Sequence, residues 1–345
     1  MKTWIKKRLY VQILVALVLA YSVAGCRQGK KTGVSFYYWR SQIALSEKER
    51  DVMDRNRVST LYVRYFDIQL DDANRPKPEA PIVGNLPRQQ GLDVVPVVYI
   101  KNRVFEKSDS SALKALPQNV ISFVKQINAH FGVVPKEIQF DCDWTPTTRE
   151  KFFSFLKRCK MLYPIQISAT IRLHQLKYAS ETGVPPVDKG VLMYYNMGEI
   201  AADTLNSVYE RKIALRYLHG LKPYRLPLDV ALPIFSWGVR IQDNAANRLL
   251  SKLNASELSR DKHFKELGNN RFRAVKPCFF KGFYFKQGDI VKIESIRQQQ
   301  LLEMAADLKK RLKAPVGKVI FFDLDTLNTD KYDREIFKKV ANSLR

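Results

Sequence analysis

The chain has 345 residues, 46% of them hydrophobic, and a formal charge of +24 at neutral pH. That hydrophobic share excludes a disordered polyelectrolyte and allows a full globular core, while four cysteines and four histidines, widely spaced, argue against a disulfide framework or a metal cluster. The basic balance has two readings: an acidic partner, or a solvated cationic surface. No nucleic-acid motif accompanies it, so nucleic acid is not expected, and anionic lipid head groups or acidic polysaccharide are the expected counterparts.

Lys2, Lys6, Lys7 and Arg8 precede an apolar run, Val11–Ala20, interrupted only by Gln12. The run is shorter than the ~20 residues of a membrane helix, and residues 1–25 have the layout of a signal peptide. Val23-Ala24-Gly25-Cys26 resembles the lipobox of bacterial lipoproteins. The resemblance implies that Cys26 receives diacylglycerol and becomes the first mature residue. Each buried lipid CH₂ contributes ~0.8 kcal/mol, so two or three acyl chains give a lasting membrane anchor. The expected location is therefore the cell envelope. Residues 26–33 read as a tether, and 34–345 as one domain, expected to be a monomer. Beyond Cys26, the cysteines are Cys142, Cys159 and Cys278. An odd number excludes full pairing; Cys142 and Cys159 read as two buried thiols, with a disulfide between them as the alternative.

Short runs rich in Val, Ile, Tyr and Phe recur along the mature chain: Val34–Arg40, Leu61–Ile68, Val94–Ile100, Glu137–Asp143, Ile165–Leu173, Gly190–Asn196, Asp229–Ser236 and Lys318–Asp325. Several are apolar on both faces, as expected for strands of a parallel sheet covered by helices. Helices are expected at Ser46–Arg57, with Ser46 and Glu49 at capping-box spacing, Ser111–Phe131, Thr147–Met161, with Thr147 and Glu150 at the same spacing, Ser207–His219, Glu294–Leu312 and Tyr332–Leu344. Asp71–Gly91, rich in proline, and the short Lys177–Lys189 are expected to be irregular loops. Eight strands in strand–helix order predict an α/β fold, a (β/α)₈ TIM barrel. Residues 242–293 break the repeat. Their aromatic alternation, Phe279-Phe280-Lys281-Gly282-Phe283-Tyr284-Phe285, predicts a β-rich insertion between the seventh strand and its helix.

In such a barrel the chemistry sits at the C-terminal strand ends, and here those ends turn polar. Strand periodicity puts Gln139, Asp141 and Asp143 on one face and Ile138, Phe140 and Cys142 on the other. Asp141 and Asp143 then point into the barrel mouth as a candidate acid/base pair. Arg172, inward on the neighbouring strand with Thr170 and His174, is their expected counter-ion; a purely structural Asp–Arg network is the alternative. Arg40, Arg64, Asp67, Tyr195, Asn196 and Asp323 end other strands and are candidate substrate-binding groups, with Asp325 repeating the geometry of Asp323. Trp144 and Trp237, with Tyr38, Trp39 and Tyr195, are candidate platforms for sugar rings.

These residues resemble the motifs of chitinase-like glycoside hydrolases of family 18. Asp141-Cys142-Asp143-Trp144-Thr145 is similar to the D-x-D-x-E part of that family's D-x-x-D-x-D-x-E signature, Met193-Tyr194-Tyr195-Asn196 to its Met-x-Tyr-Asp, and Leu232-Pro233-Ile234-Phe235-Ser236-Trp237-Gly238 to its seventh-strand stretch. The overall pattern also resembles a group of bacterial lipoproteins with hydrolase-like barrels. The departures are specific: Thr145 replaces the proton-donor Glu, Ile138 falls on the first motif Asp, and Asn196 stands for an Asp. Asp141 and Asp143 carry over by position; the family's acid does not. The resemblance implies a glycan or polysaccharide partner and no cofactor or metal. Two readings follow: a hydrolase using Asp143 with a second carboxylate from Asp67, Asp323 or Asp325, or a non-catalytic glycan-binding barrel. A structural envelope protein is a third.

Overall fold

A computed structural model describes residues 32–86, 91–312 and 314–344. The expected signal peptide, Cys26 and all but the last two residues of the expected tether lie outside the described residues. Among the described residues no helix is long and apolar enough to cross a membrane.

Eight parallel strands close on themselves: β1 Gly33–Tyr38, β2 Thr60–Leu70, β3 Asp93–Ile100, β4 Glu137–Asp141, β5 Gln166–Arg172, β6 Lys189–Met193, β7 Leu228–Pro233 and β8 Lys318–Phe322. Each pairs with its sequence neighbour, and β1 pairs with both β2 and β8, which removes every free edge. The predicted (β/α)₈ barrel is therefore the observed fold. Helices α1 Glu47–Arg55, α2 Ser110–Phe131, α3 Arg149–Leu162, α4 Arg211–Leu218, α5 Gln298–Arg311 and α6 Ile336–Ser343 surround it. Their apolar stripes pack on the outward strand residues: Phe140 of β4 meets Phe155 of α3, and Phe36 and Phe321 of β1 and β8 meet Phe337 of α6.

Local chemistry sets the helix ends. Ser46 caps α1 in a true capping box with Glu49. Asp109 caps α2, and Gly132 ends it at φ 67°, a left-handed conformation that glycine adopts without penalty. The box expected from Thr147 and Glu150 does not form. Thr148 occupies the cap position instead, and its hydroxyl is spent on Asn102 and on the Thr145 N–H.

Three stretches differ from expectation. Pro76–Glu79, inside the expected loop, turns back antiparallel on the long C-terminal end of β2. An edge strand tolerates proline because one side needs no N–H donors. Residues 177–189 contain helical turns, Ala179–Thr182 and the end of Leu173–Lys177. The insertion begins at once after β7. Ser236–Gln242 is the second strand of a five-stranded antiparallel sheet ordered Ala245–Ser251, Ser236–Gln242, Ile290–Ser295, Arg271–Ala274, Phe264–Gly268, with Ile290–Ser295 at its centre. Its own core, with Leu250, Leu253, Phe264, Phe272, Phe285 and Val291, is separate from the barrel core. The aromatic hairpin Cys278–Phe280/Phe283–Phe285 is present as a small separate ribbon. A run from 236 to 295 is thus a compact β unit, larger than a hairpin.

Inside the barrel the side chains form layers. At the N-terminal end Lys189 binds Glu137 and Asp229 at 2.9 and 2.8 Å, and Ser168 donates to Glu137. Above them Tyr37 donates to Gln139 at 2.7 Å. Asp141 tops the stack, accepting from Thr170 at 2.6 Å. A closed, satisfied plug therefore supports the residues at the mouth. Cys142 and Cys159 are buried free thiols, as expected, and Cys278 is free and half-buried.

Candidate active-site cleft

The mouth holds a cavity of about 660 Å³ between the C-terminal strand ends and the insertion. Asp141, the last residue of β4, is its floor; Asp143 follows two residues later, outside the strand. The inward parity predicted for Gln139 and Asp141 holds, with the Tyr37 and Thr170 hydrogen bonds as its consequence. Burial raises the Asp141 carboxyl to about 6; nearby Arg172 opposes that shift and Asp143 adds to it. Asp143 is half-exposed and paired with Arg172 at two points, Nε to Oδ1 and Nη2 to Oδ2 at 3.1 Å. The sequence-predicted counter-ion is thus observed. Its consequence is that both carboxylate oxygens of Asp143 are engaged by the guanidinium.

The opposite wall comes from β8, four strands away around the barrel. Asp323 lines the cavity and accepts from Asn328 at 2.6 Å. Burial raises it to about 6, helped by Asp325 and opposed by Lys252 and Arg40. Burial also pushes Asp325 upward, but the Leu327 N–H that it caps, Lys252 at 3.1 Å and Arg40 outweigh this and hold it below the usual carboxylate range. Two carboxyls with elevated affinity for protons, on opposite strands, therefore share one cavity.

Arg40, Asp67, Tyr195, Asn196 and Trp237 also line it, as expected. Arg40 donates to Glu49 at 2.8 Å, the same buried carboxylate that completes the α1 capping box and accepts from the Thr326 N–H, so one side chain ties β1, α1 and β8 together at the rim. Asn196 adopts φ 53° just past β6. Tyr195 is held neutral, chiefly by burial. Arg64 is not part of the lining: its guanidinium is buried, donating to Asp67 at 2.7 Å and to the Ala80 carbonyl, so it positions Asp67.

Two expected platforms are corrected. Trp144 is fully buried, stacked on Phe152 with its N–H on the Thr182 carbonyl, so it is core and cannot meet a ligand. Its place in the strand alternation turns it toward the helices. Tyr38 is likewise buried, its hydroxyl bonded to the Gln42 carbonyl and the Ala44 N–H. The aromatic wall that does face the cavity runs through Trp39, Phe322, Phe235 and Trp237, with neighbouring ring centroids 5.1–5.9 Å apart. Phe322, Tyr99, Lys252 and Phe283 were not singled out from the sequence. Tyr99, a lone polar residue ending an apolar strand, carried a readable signal; burial followed by the charges of Asp141 and Asp143 raises it to about 12. Lys252 and Phe283 reach the site from the insertion and carried none.

The cavity continues past Arg172, Tyr195 and Asn196 into a groove of about 320 Å³ over Asp143, His174 and Tyr217. Thr145 turns away from the cavity, hydrogen-bonded to Thr147 and Thr148. No group of His, Cys, Asp or Glu among the described residues could hold a metal ion.

No family model matches the sequence, and no curated protein matches it. Solved structures do. The chain superposes on the spore cortex-lytic enzyme SleL of Bacillus cereus with a TM-score of 0.53 and 15% identity, over 92% of this chain and 76% of that one. A family 18 chitinase of Cycas revoluta, solved with (GlcNAc)₄, gives 0.51 and 13% over 91% and 99%, and a class V chitinase of Pseudomonas fluorescens 0.51 and 11% over 91% and 100%. The chain thus has the fold of the glycoside hydrolase family 18 barrels, as its motifs implied.

Proposed function

We propose that this is a membrane-anchored, polysaccharide-binding barrel of the cell envelope, held by a lipid on Cys26, with the cleft at the barrel mouth as its glycan site. The observation that carries the reading is the cleft's composition. Each of its cations already has a carboxylate partner: Arg40 with Glu49, Arg172 with Asp143, Lys252 with Asp325. What remains is a wall of aromatic faces and a set of hydrogen-bonding groups with little net positive charge. Neutral sugar rings need such a surface: apolar CH faces stack on aromatics while hydroxyls exchange hydrogen bonds with amides and carboxyls.

A second reading, hydrolysis, is favoured by one specific observation: the two protonatable carboxyls, Asp141 and Asp323, on facing walls. The family's acid is absent at Thr145, so its route is not available here. A two-carboxylate route needs one group protonated and one ionised on either side of the glycosidic bond, and a carboxyl near 6 suits the acid role. Asp141→Asn and Asp323→Asn test both readings on a panel of envelope polysaccharides. Hydrolysis predicts turnover in the wild type and a loss of about 10²-fold or more in either variant with binding retained. Binding alone predicts no turnover and altered affinity in both. A wild-type protein that binds no polysaccharide overturns the proposal.

A further inference from the structure

We infer that the N-terminal face of the barrel, opposite the cleft, is a docking surface for an anionic phospholipid membrane. The inference rests on the reading of Cys26 as lipidated and goes beyond it, because a lipid alone leaves the body free to tumble at the end of its tether.

Three observations converge on this face. The first is where the chain leaves it. Thr32 donates to the Val316 carbonyl at 3.1 Å, and the Gly33 N–H to Gly317 at 2.9 Å, so the tether departs beside the loop that enters β8. Cys26 lies six residues before Thr32. Six residues span at most ~20 Å, less than the depth of a barrel with its loops, so the acyl chains cannot reach past the C-terminal face.

The second is exposed apolar surface. Val134 is 92% exposed and Met161 75% exposed, among the highest values of any large apolar side chain described. Val134 sits in the loop between α2 and β4, and Met161 in the last turn of α3 before β5, so both belong to the N-terminal rim. An apolar pocket of about 170 Å³ opens between the segments that enter β7 and β8, lined by Leu221, Tyr224 and Leu312.

The third is charge. Lys222, Arg225, Lys309, Lys310 and Arg311 lie around that pocket's two segments, all exposed, and none forms an ion pair among the described residues. Asp93 and Asp188, at the entries to β3 and β6, are neutralised by Lys136 and Lys160. The cleft pairs its cations one by one, whereas at this rim Lys136 and Lys160 are paired and the five cations around the pocket are left without an ion pair among the described residues. Near an anionic leaflet each such Lys or Arg multiplies partitioning by about five-fold. Apolar tips among unpaired cations, on the face from which a lipid tether emerges, fit the boundary between head groups and acyl chains. Docking there turns the cleft away from the membrane, toward polymer in the envelope.

The test uses the full lipidated protein in vesicles of phosphatidylcholine with or without phosphatidylglycerol. An environment-sensitive fluorophore is placed at Met161→Cys or, as a reference on the loop after β6, at Ile200→Cys, each with Cys278→Ser. With phosphatidylglycerol present, the probe at 161 should be quenched by spin-labelled acyl chains at least about five-fold more than the probe at 200. Combined Lys222→Glu, Arg225→Glu and Lys310→Glu should abolish that difference while the protein still floats with the vesicles and melts unchanged. Flotation with equal, weak quenching at 161 and 200 overturns the docking surface and leaves the lipid anchor standing. Failure to float with anionic vesicles overturns both.

Discussion

Asp143 and Arg172 are joined at two points across the ends of neighbouring strands, and this pair sets the electrostatics of the cleft floor. The guanidinium also faces Asp141, where it is the main influence opposing the upward push of burial. Arg172→Gln should therefore raise the Asp141 titration midpoint above its value of about 6, and Asp143→Asn should lower it, because Asp143 pushes it up. Carbon-13 NMR of the aspartate carboxyls across pH reads both shifts. If both substitutions move the midpoint in one direction, the pair does not control Asp141.

A buried carboxyl that resists ionisation lowers stability wherever it must ionise. Asp141 and Asp323 titrate at about 6 in the fold, against ~3.9 unfolded. Between these values the unfolded chain binds fewer protons than the native one, so stability falls as pH rises from 4 to 6 and stays at the lower level above 6. Asp141→Asn should remove its share. The substitution should raise the unfolding free energy at pH 7 by up to about 3 kcal/mol, at 1.36 kcal/mol per pK unit, and change little at pH 3. Denaturant unfolding at both pH values decides it; equal effects at pH 3 and 7 would exclude the linkage.

The two tryptophans at strand ends should separate by phenotype. Trp144, fully buried against Phe152, should cost ~3–5 kcal/mol on truncation to Ala. Trp39 lines the cavity in contact with Phe322 and Tyr37. Its truncation should weaken glycan binding by about ten-fold. Thermal melting and glycan titration of the two variants measure the contrast. Loss of glycan affinity in a stable Trp144→Ala protein would return Trp144 to the site.

Membrane attachment has its own test. Cys26→Ala should end incorporation of labelled palmitate and move the protein from membrane to soluble fractions. Unchanged labelling would remove the lipidation from the account.

How much of this was legible in the sequence follows from periodicity. A parallel strand buried on both faces leaves a dense apolar run, so β3, with Val94-Val95-Pro96-Val97-Val98, was plain, and eight such runs defined the barrel. Period-two parity placed Asp141 and Arg172 correctly because both lie on regular strand up to its last residue. The same parity, carried past the end of β4, turns Asp143 to the mouth and Trp144 to the helices; reading Trp144 as a platform went against it. The insertion was visible as a break in the repeat. Its extent was not, because Ser236–Gln242 continues the apolar pattern of β7 after a gap of two residues. Lys252 and Phe283 were illegible for the same reason. They meet Asp325 and the cleft through the folding of a separate sheet, and no local pattern encodes that approach.

Polysaccharide is proposed to bind in the cleft between Asp141, Asp323 and the Trp39–Phe322 wall. Calorimetric titration of wild type and Trp39→Ala with the polysaccharide that ranks first in a panel of envelope glycans tests it most directly. Saturable binding by the wild type is expected, with about ten-fold weaker binding by a variant that remains folded at the titration temperature. Equal affinity in the two proteins, or a wild type that binds nothing in the panel, would contradict it.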